Sequence, residues 1–207
     1  MNDLIKFYKE QFNKNIVNTL IGINIIVFLI QCLTPESYQA WFVIPTQPSN
    51  FITQPWSILS GMFMHNGLMH ILFNMFWLWQ MGDILLKKIG SKKLLNLYMY
   101  GGVLSTIGVF IYSYMVGLNT YMLGASGAIM VIIFAAIYTV PNQKVSLFGI
   151  ITIKMKHIAW VLFIMNIYGL GGSNAGGEVA HISGSVIGYI WIKSYLNKNF
   201  LKDMISF

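Results

Sequence analysis

Long apolar stretches recur along this chain of 207 residues and constrain its fold more than any other feature of the sequence. About 17–25 consecutive apolar residues allow an α-helix to cross the hydrocarbon core of a bilayer, which is about 30 Å thick. Of all residues, 56% are hydrophobic and 9% are charged, whereas a soluble domain carries about 25% charged residues. The sequence therefore predicts an all-α polytopic membrane protein and excludes an ordinary soluble domain.

The distribution of positive charge predicts how the chain is oriented in the membrane. The chain has no arginine, so its 13 basic residues are all lysines, and they fall into four groups. The polar segments 34–57, 117–125 and 171–178, which lie between these groups, contain none. Because cytoplasmic loops are enriched in basic residues, this alternation places both termini in the cytoplasm and the lysine-free segments outside. Topology thus explains the net charge of +7, and nucleic acid is not expected as a partner.

Six membrane spans fit this alternation of charge. They cover approximately residues 16–33, 62–86, 94–116, 126–141, 157–172 and 179–196. We expect one six-span domain over 16–196, with cytoplasmic tails at 1–15 and 197–207. The segment 34–60, which holds four of the five prolines, connects the first two spans on the outer side. The lone cysteine, Cys32, is expected to be a small apolar residue of the core.

The fourth span begins with a small polar cluster, GASG, at residues 124–127. From Ser126 to Val140 the helix has about 15 residues and is therefore ~22 Å long, whereas the hydrocarbon core measures about 30 Å. If the C-terminal end of this helix meets the cytoplasmic face at Pro141, Ser126 lies below the outer surface. Backbone groups at that depth must be buried by protein or reached by water. The sequence therefore implies a hydrated cavity, open to the outside, with Ser126 on its floor.

Polar side chains interrupt the second span at His65, His70 and Asn74. His70 and Asn74 are four residues apart and so share one face of a helix. Both are costly in hydrocarbon unless they have a partner or face water. They either form hydrogen bonds with neighbouring helices or face the cavity. His65 lies nearer the outer surface, where a structural or water-binding role is expected.

The sixth span presents a histidine and small residues on one face. His181 is followed by Gly184, Ser185 and Gly188, and two glycines four residues apart allow another helix backbone to approach closely. One interpretation is a packing motif with an incidental histidine. The other is that the glycines bring His181 to the start of the fourth span, because Ser126 begins that span at a similar depth.

Together, Ser126 and His181 would suit acyl-transfer chemistry. A serine hydroxyl is a weak nucleophile unless a base within hydrogen-bond reach accepts its proton, and histidine is the commonest such base. The oxyanion formed on attack needs fixed hydrogen-bond donors. Backbone N–H groups at the start of the fourth helix are available, and the side chains of His70 and Asn74 could supply two more.

Three motifs, in order along the chain, resemble those of the rhomboid family of intramembrane serine proteases. They are HNGLMHILFN from His65 to Asn74, Gly124-Ala125-Ser126-Gly127, and Ala180-His181 with Gly184 and Gly188. The resemblance covers about residues 16–196 and includes the number and orientation of the spans. It implies a six-transmembrane-helix rhomboid-like bundle, in which 34–60 is a membrane-embedded first loop and 171–178 is a flexible cap over the site.

The resemblance also implies roles for individual residues. Ser126 would be the nucleophile, and His181 would be the general base and then the acid that protonates the leaving amine, in a dyad that requires no carboxylate. His70, Asn74 and the Ser126 amide would bind the oxyanion. The residues expected to shape the site are Gly124, Gly127, Gly184, Gly188, His65 and Met130.

The chain departs from the usual pattern of this family at three places. Ser57 follows the tryptophan of the first loop where the family usually has arginine, and Leu86 replaces a glutamate near the end of the second span. Met130 stands where many relatives have an aromatic residue stacked on the catalytic histidine, and a sulfur contact is weaker and more mobile. Glu178, three residues before His181, could assist that histidine.

The predicted function is hydrolysis of peptide bonds in or near transmembrane segments of membrane-anchored proteins, near the outer face of a bacterial inner membrane. Its partners would be transmembrane protein substrates and the lipid bilayer, and the oligomeric state is left open. No cofactor or metal is expected, because His65 and His70 are five residues apart and no carboxylate joins them. The alternatives are a catalytically silent relative that binds membrane clients and a transporter that relays protons through its histidines.

Overall fold

The computed structural model describes residues 16–147 and 149–197, which form a bundle of helices with a folded segment at 34–60, named the outer segment for its predicted side of the membrane. Its long helices are α1 Ile16–Leu33, α2 Leu68–Ile89, α3 Ser91–Val116, α4 Ser126–Thr139, α5 Met155–Gly169 and α6 Ala175–Leu196. Its short strands are β1 Ile44–Pro45, β2 Tyr121–Met122, β3 Lys144–Leu147 and β4 Ile151–Lys154. The tails predicted at 1–15 and 197–207 lie outside the described residues, apart from Asn197.

Each predicted span corresponds to one long helix, but the count of six membrane crossings stays a prediction. Among the described residues, α1 and α3 are long and apolar enough to cross a membrane by length and composition, and α4 is a shorter apolar helix. α1 has the predicted bounds. α6 begins before its predicted span, so the predicted cap at 171–178 is wrong in extent: residues 175–178 are helical, and a turn at 170–174 joins α5 to α6.

The second span begins later than predicted because glycine and extended backbone precede it. A single 3-10 turn, Gly61–Phe63, ends at Met64, which is extended with φ −82° and ψ 153°. Gly67 then has φ +94°, a conformation that glycine adopts at no steric cost, and α2 starts at Leu68. His65 therefore lies in the irregular stretch between this 3-10 turn and α2, and its predicted place within the span is wrong.

Helix α4 lies at the centre of the bundle, in backbone contact with α6. A Cβ added at Gly184 would collide with the carbonyl oxygen of Gly127, and one added at Gly188 would collide with the carbonyl oxygen of Val131. A Cβ at Gly101 of α3 would lie 2.8 Å from a Val131 methyl group. Glycine in α6 therefore lets the backbones of α4 and α6 approach closely, and glycine in α3 leaves room for a side chain of α4.

We expect Gly188→Ala to destabilise this helix pair. Its new methyl group would overlap the backbone of α4, and overpacking of this kind costs about 1–3 kcal/mol. The midpoint of thermal unfolding in detergent should fall by roughly 2–4 °C per kcal/mol. Gly22→Ala in α1 is the matched control, since no heavy atom lies within 4 Å of its added Cβ. Equal midpoints for the two variants would contradict the close contact.

The outer segment 34–60 is folded onto the bundle by hydrogen bonds to its own carbonyls and to the loop after α3. It contains one-turn helices at Glu36–Gln39, Pro48–Phe51 and Ser57–Ser60. Side chains of Gln54, Trp56 and Ser60 donate to the carbonyl oxygens of Val43, Trp41 and Phe42, at 3.1, 2.8 and 2.9 Å. Ser57, which stands where the family usually has arginine, is buried, and its hydroxyl has no hydrogen-bond partner among the described residues.

A two-residue strand pair fastens the outer segment to the chain that leads into α4. β1 pairs antiparallel with β2, so that Ile44 lies opposite Met122. Next to this pair, the Thr46 hydroxyl donates to the Thr120 carbonyl at 3.0 Å and the Thr120 N–H donates to the Thr46 hydroxyl at 3.0 Å. The approach to Ser126 is thus held by residues 44–46 as well as by the helices of the bundle.

Helix α1 presents an apolar face to its surroundings, and Cys32 lies on the exposed side. Its exposed large residues are Ile23, Ile25, Ile26, Leu29, Ile30 and Leu33. The prediction that Cys32 is a core residue is therefore wrong: it is exposed. Sequence could not reveal this, because core and lipid-facing positions are equally apolar in a membrane helix.

Strands β3 and β4 form a β-hairpin before α5. β3 pairs antiparallel with β4 from Lys144 opposite Lys154 to Leu147 opposite Ile151. Gln80 of α2 donates to the carbonyl of Ser146 at 2.8 Å and holds the hairpin against the bundle.

Candidate active site

Ser126 is the first residue of α4 and is half-buried beside a cavity of about 290 Å³. The chain reaches it through Gly124, which has φ +128°, a region that residues with a Cβ rarely adopt. The Gly124 N–H donates to the carbonyl of Gly61 at 2.8 Å. The chain just before α4 is therefore fixed to the 3-10 turn Gly61–Phe63. His70 and Gly127 line the same cavity.

A second cavity, of about 270 Å³, brings together the other polar residues singled out in the sequence. His70, Asn74, Ser126 and His181 all line it, and Met130 forms part of its wall. Since Ser126 and His70 border both cavities, these two side chains lie where the cavities meet. The residues come from α2, α4 and α6, and the glycine contact between Gly184 and α4 lies one turn from His181.

The imidazole of His181 is held at its Nδ1 edge. Nδ1 lies 3.2 Å from Oδ1 of Asn166 on α5 and 3.3 Å from Oε2 of Glu178. Both partners are acceptors, so Nδ1 carries the hydrogen and Nε2 is the basic nitrogen. No hydrogen bond joins Ser126 Oγ to His181 within residues 16–147 and 149–197, and such bonds are often long in enzymes without substrate.

His70 is oriented by a backbone donor. The N–H of Asn66 donates to Nδ1 of His70 at 3.2 Å, which leaves the hydrogen of the neutral ring on Nε2. A methyl group at Gly124 would lie 3.1 Å from that Nε2 and 3.8 Å from Ser126 Oγ. Glycine at 124 therefore leaves open a space that is bordered by a hydroxyl and by an N–H donor.

Asn74 lies one turn after His70 on α2 and is buried. Its Nδ2 donates to the carbonyl of His70 at 2.8 Å, which fixes the amide plane. An amide nitrogen has two hydrogens, so this bond leaves a second N–H for a group in the cavity that Asn74 lines with Ser126.

His65 packs behind His70 and does not line either cavity. The two rings are 5.2 Å apart between centroids, in an edge-to-face arrangement. The amide side chain of Gln31 on α1 donates to the His65 carbonyl at 2.9 Å and accepts from the His65 N–H at 3.0 Å. His65 therefore supports His70 from behind. Among the described residues, no group of three or more His, Cys, Asp or Glu side chains could hold a metal ion.

Asn166 belongs to the site, and the sequence reading missed it. It is a buried amide in the part of α5 that follows Lys156 and His157 and is otherwise apolar, and such a residue is costly in hydrocarbon without a partner. That cost was a usable signal, but the sequence did not show that α5 faces His181.

A predominantly helical membrane protein, with a cavity between its helices that serine, histidine and asparagine side chains line, is the class that this fold and site define. Residues 53–198 match the Rhomboid domain family. The chain is 27% identical over 195 residues to "Rhomboid protein 1, mitochondrial" of Saccharomyces cerevisiae, an alignment that covers 89% of this chain and 54% of that protein. It is 30% identical over 170 residues to "Rhomboid protease GlpG" of Yersinia pestis and to the protein of that name in Yersinia pseudotuberculosis, covering 80% of this chain and 57% of each of those proteins.

The chain belongs to the rhomboid family, whose members have a polytopic, all-helical membrane fold. It spans just over half the length of the curated relatives it matches.

Proposed function

We propose that this chain is an intramembrane serine endopeptidase that hydrolyses peptide bonds in or near the transmembrane segments of membrane-anchored proteins. One observation carries the proposal: Ser126, His70, Asn74 and His181, from three helices, border one cavity at the start of a short apolar helix. Family membership, and relatives named rhomboid protease, support the same chemistry.

In the proposed reaction, Ser126 Oγ attacks the carbonyl carbon of the scissile peptide bond and its proton passes to Nε2 of His181. The carbonyl oxygen becomes an oxyanion and accepts hydrogen bonds from His70 Nε2–H, the second N–H of Asn74 and the backbone N–H of Ser126. His181 then gives its proton to the leaving amine, and the C–N bond breaks. Water, deprotonated by His181, attacks the resulting ester and releases the carboxylic acid and the serine.

We further propose the arrangement of this enzyme in the membrane. Residues 16–196 form one six-span domain with both ends in the cytoplasm, in a bacterial inner membrane. α4 has 14 residues and is therefore ~21 Å long, less than the hydrocarbon thickness of about 30 Å. Its N-terminal end accordingly lies below the outer surface, where water reaches Ser126. Substrate segments unwind to enter, because a helical backbone shields its carbonyls.

The test is cleavage of a purified single-span reporter protein in liposomes that contain this chain. Under the proposal, the wild-type protein cuts the reporter in or near its span, and a serine-directed fluorophosphonate stops the reaction. A chain that binds the reporter without cutting it would be a catalytically silent client-binding relative. Proton flux in liposomes without reporter, together with no cleavage, would favour a transporter.

A further inference from the structure

The Nδ1 edge of His181 faces two acceptors, and the proposed dyad assigns neither of them a role. Glu178 lies one turn earlier on α6, and its carboxylate is 3.3 Å from Nδ1. Asn166 reaches the same nitrogen from α5 at 3.2 Å. The side chains of His181 and Glu178 are 22% and 17% exposed, so water competes little for their contact. We infer that Glu178, aided by Asn166, is a positioning residue that fixes the tautomer and the plane of His181; this inference rests on the proposed function.

The tautomer follows from the chemistry of the partners. A neutral imidazole carries one hydrogen, and a carboxylate can only accept it. With that hydrogen on Nδ1, the lone pair of Nε2 is available to the Ser126 hydroxyl. When His181 takes up the second proton, the same carboxylate stabilises the imidazolium, which is the role of the acidic member in serine-protease triads. Met130, a flexible thioether on the wall of the cavity, cannot fix a ring plane in this way.

Glu178 is itself held in place at two points. Its Oε1 lies 3.4 Å from Nδ2 of Asn174, in the turn between α5 and α6. Its carboxyl group packs against the backbone of Gly169, where an added Cβ would lie 2.7 Å from Glu178 Cδ. One carboxylate oxygen therefore faces His181 and the other faces the turn that closes the outer end of the site. His70, from α2, is a further titratable residue and lines the same cavity as His181.

This geometry offers two independent ways to remove the carboxylate from His181. Glu178→Gln keeps the shape and removes the charge. Gly169→Ala leaves Glu178 in the sequence but places a methyl group against the end of its flexible side chain. Gly171→Ala is the matched control, because no heavy atom lies within 4 Å of its added Cβ. Glu36→Gln, at an exposed position of the outer segment, is the control for the change of charge.

We expect Glu178→Gln and Gly169→Ala each to lower kcat for the reporter by about tenfold or more. General base catalysis contributes about 10²–10⁴-fold to a rate, and a misplaced His181 should lose part of that contribution. KM should stay within about twofold, because neither change removes a group that lines the space beside Gly124. Glu178→Asp should recover part of kcat. Gly171→Ala and Glu36→Gln should behave as wild type. A folded Glu178→Gln protein with wild-type kcat would overturn the inference.

A second readout does not depend on proteolysis. In protein labelled with ¹⁵N-histidine, the ring nitrogen shifts of His181, assigned by comparison with His181→Gln, report which nitrogen carries the hydrogen. We expect the Nδ1–H tautomer in wild type and a mixture of tautomers in Glu178→Gln. If the reporter is not cut but this difference is present, the positioning stands and the proposed function fails. The same mixture in both proteins would overturn the positioning, whatever the reporter shows.

Discussion

Ser126→Ala is expected to reduce reporter cleavage to the level of empty liposomes, a loss of at least about 10³-fold, without changing the thermal unfolding midpoint. The hydroxyl is the atom that forms the covalent bond, and a methyl group cannot replace it. Ser126 Oγ forms no hydrogen bond within the part of the chain that the structure describes, so its removal leaves no partner unsatisfied. The measurement is the initial rate of cleavage with reporter below KM. His181→Ala should give a comparable loss, because the two residues act as a unit.

The control for this result is Ser49→Ala, the same change at an exposed position of the outer segment. It should cut the reporter at the wild-type rate. A fluorophosphonate should label the wild-type protein and Ser49→Ala, but not Ser126→Ala. Undiminished cleavage by Ser126→Ala, or labelling of a different serine, would refute the assignment of the nucleophile.

The second large effect is expected at the groups assigned to the oxyanion. His70→Ala should lower kcat by about 10²–10³-fold, the usual effect of removing one such donor, while KM changes little, because the interaction exists only in the transition state. Asn74→Ala should act in the same direction and also lower stability, since its Nδ2 bonds the His70 carbonyl at 2.8 Å. Single-turnover rates at saturating reporter would measure the chemical step directly.

His157→Ala is the matched control, because His157 is exposed near the start of α5 and lines neither cavity. It should retain the wild-type kcat. If His70→Ala raised KM with kcat unchanged, His70 would bind the substrate rather than the oxyanion. In that case the donors would be the Asn74 amide and the backbone at the start of α4.

The sequence predicted the order of the long helices and their approximate bounds, because apolar runs indicate where helices of membrane-spanning length lie. The side of the membrane inferred from the lysine groups stays a prediction. The sequence failed where backbone conformation decides. The φ of +94° at Gly67 delays the start of α2, and β3 and β4, which no predicted element covers, form a hairpin. Hydropathy does not report backbone conformation, so it predicted neither the late start of α2 nor the hairpin.

In the candidate site, too, the sequence predicted some relations between residues and not others. The spacing of His70 and Asn74 placed them on one helix face, and the glycines of α6 indicated a close helix partner. What could not be read is which side of α5 faces α6, and hence the contact between Asn166 and His181. The prediction for Cys32 was wrong for a different reason. Its neighbours in the sequence are apolar, and an apolar run does not show whether a residue faces the protein interior or the lipid.

The glycine contact between α4 and α6 has a consequence for how the proposed enzyme fails on heating. At Gly184 and Gly188 the backbone of α6 lies directly against the carbonyl oxygens of Gly127 and Val131 in α4, so a change of rotamer at these two positions cannot loosen the contact. The backbone positions of the serine and the histidine can therefore move apart only when the helices themselves separate. Loss of activity and loss of tertiary structure should therefore share one melting curve, with no range of temperature in which the protein is folded but inert.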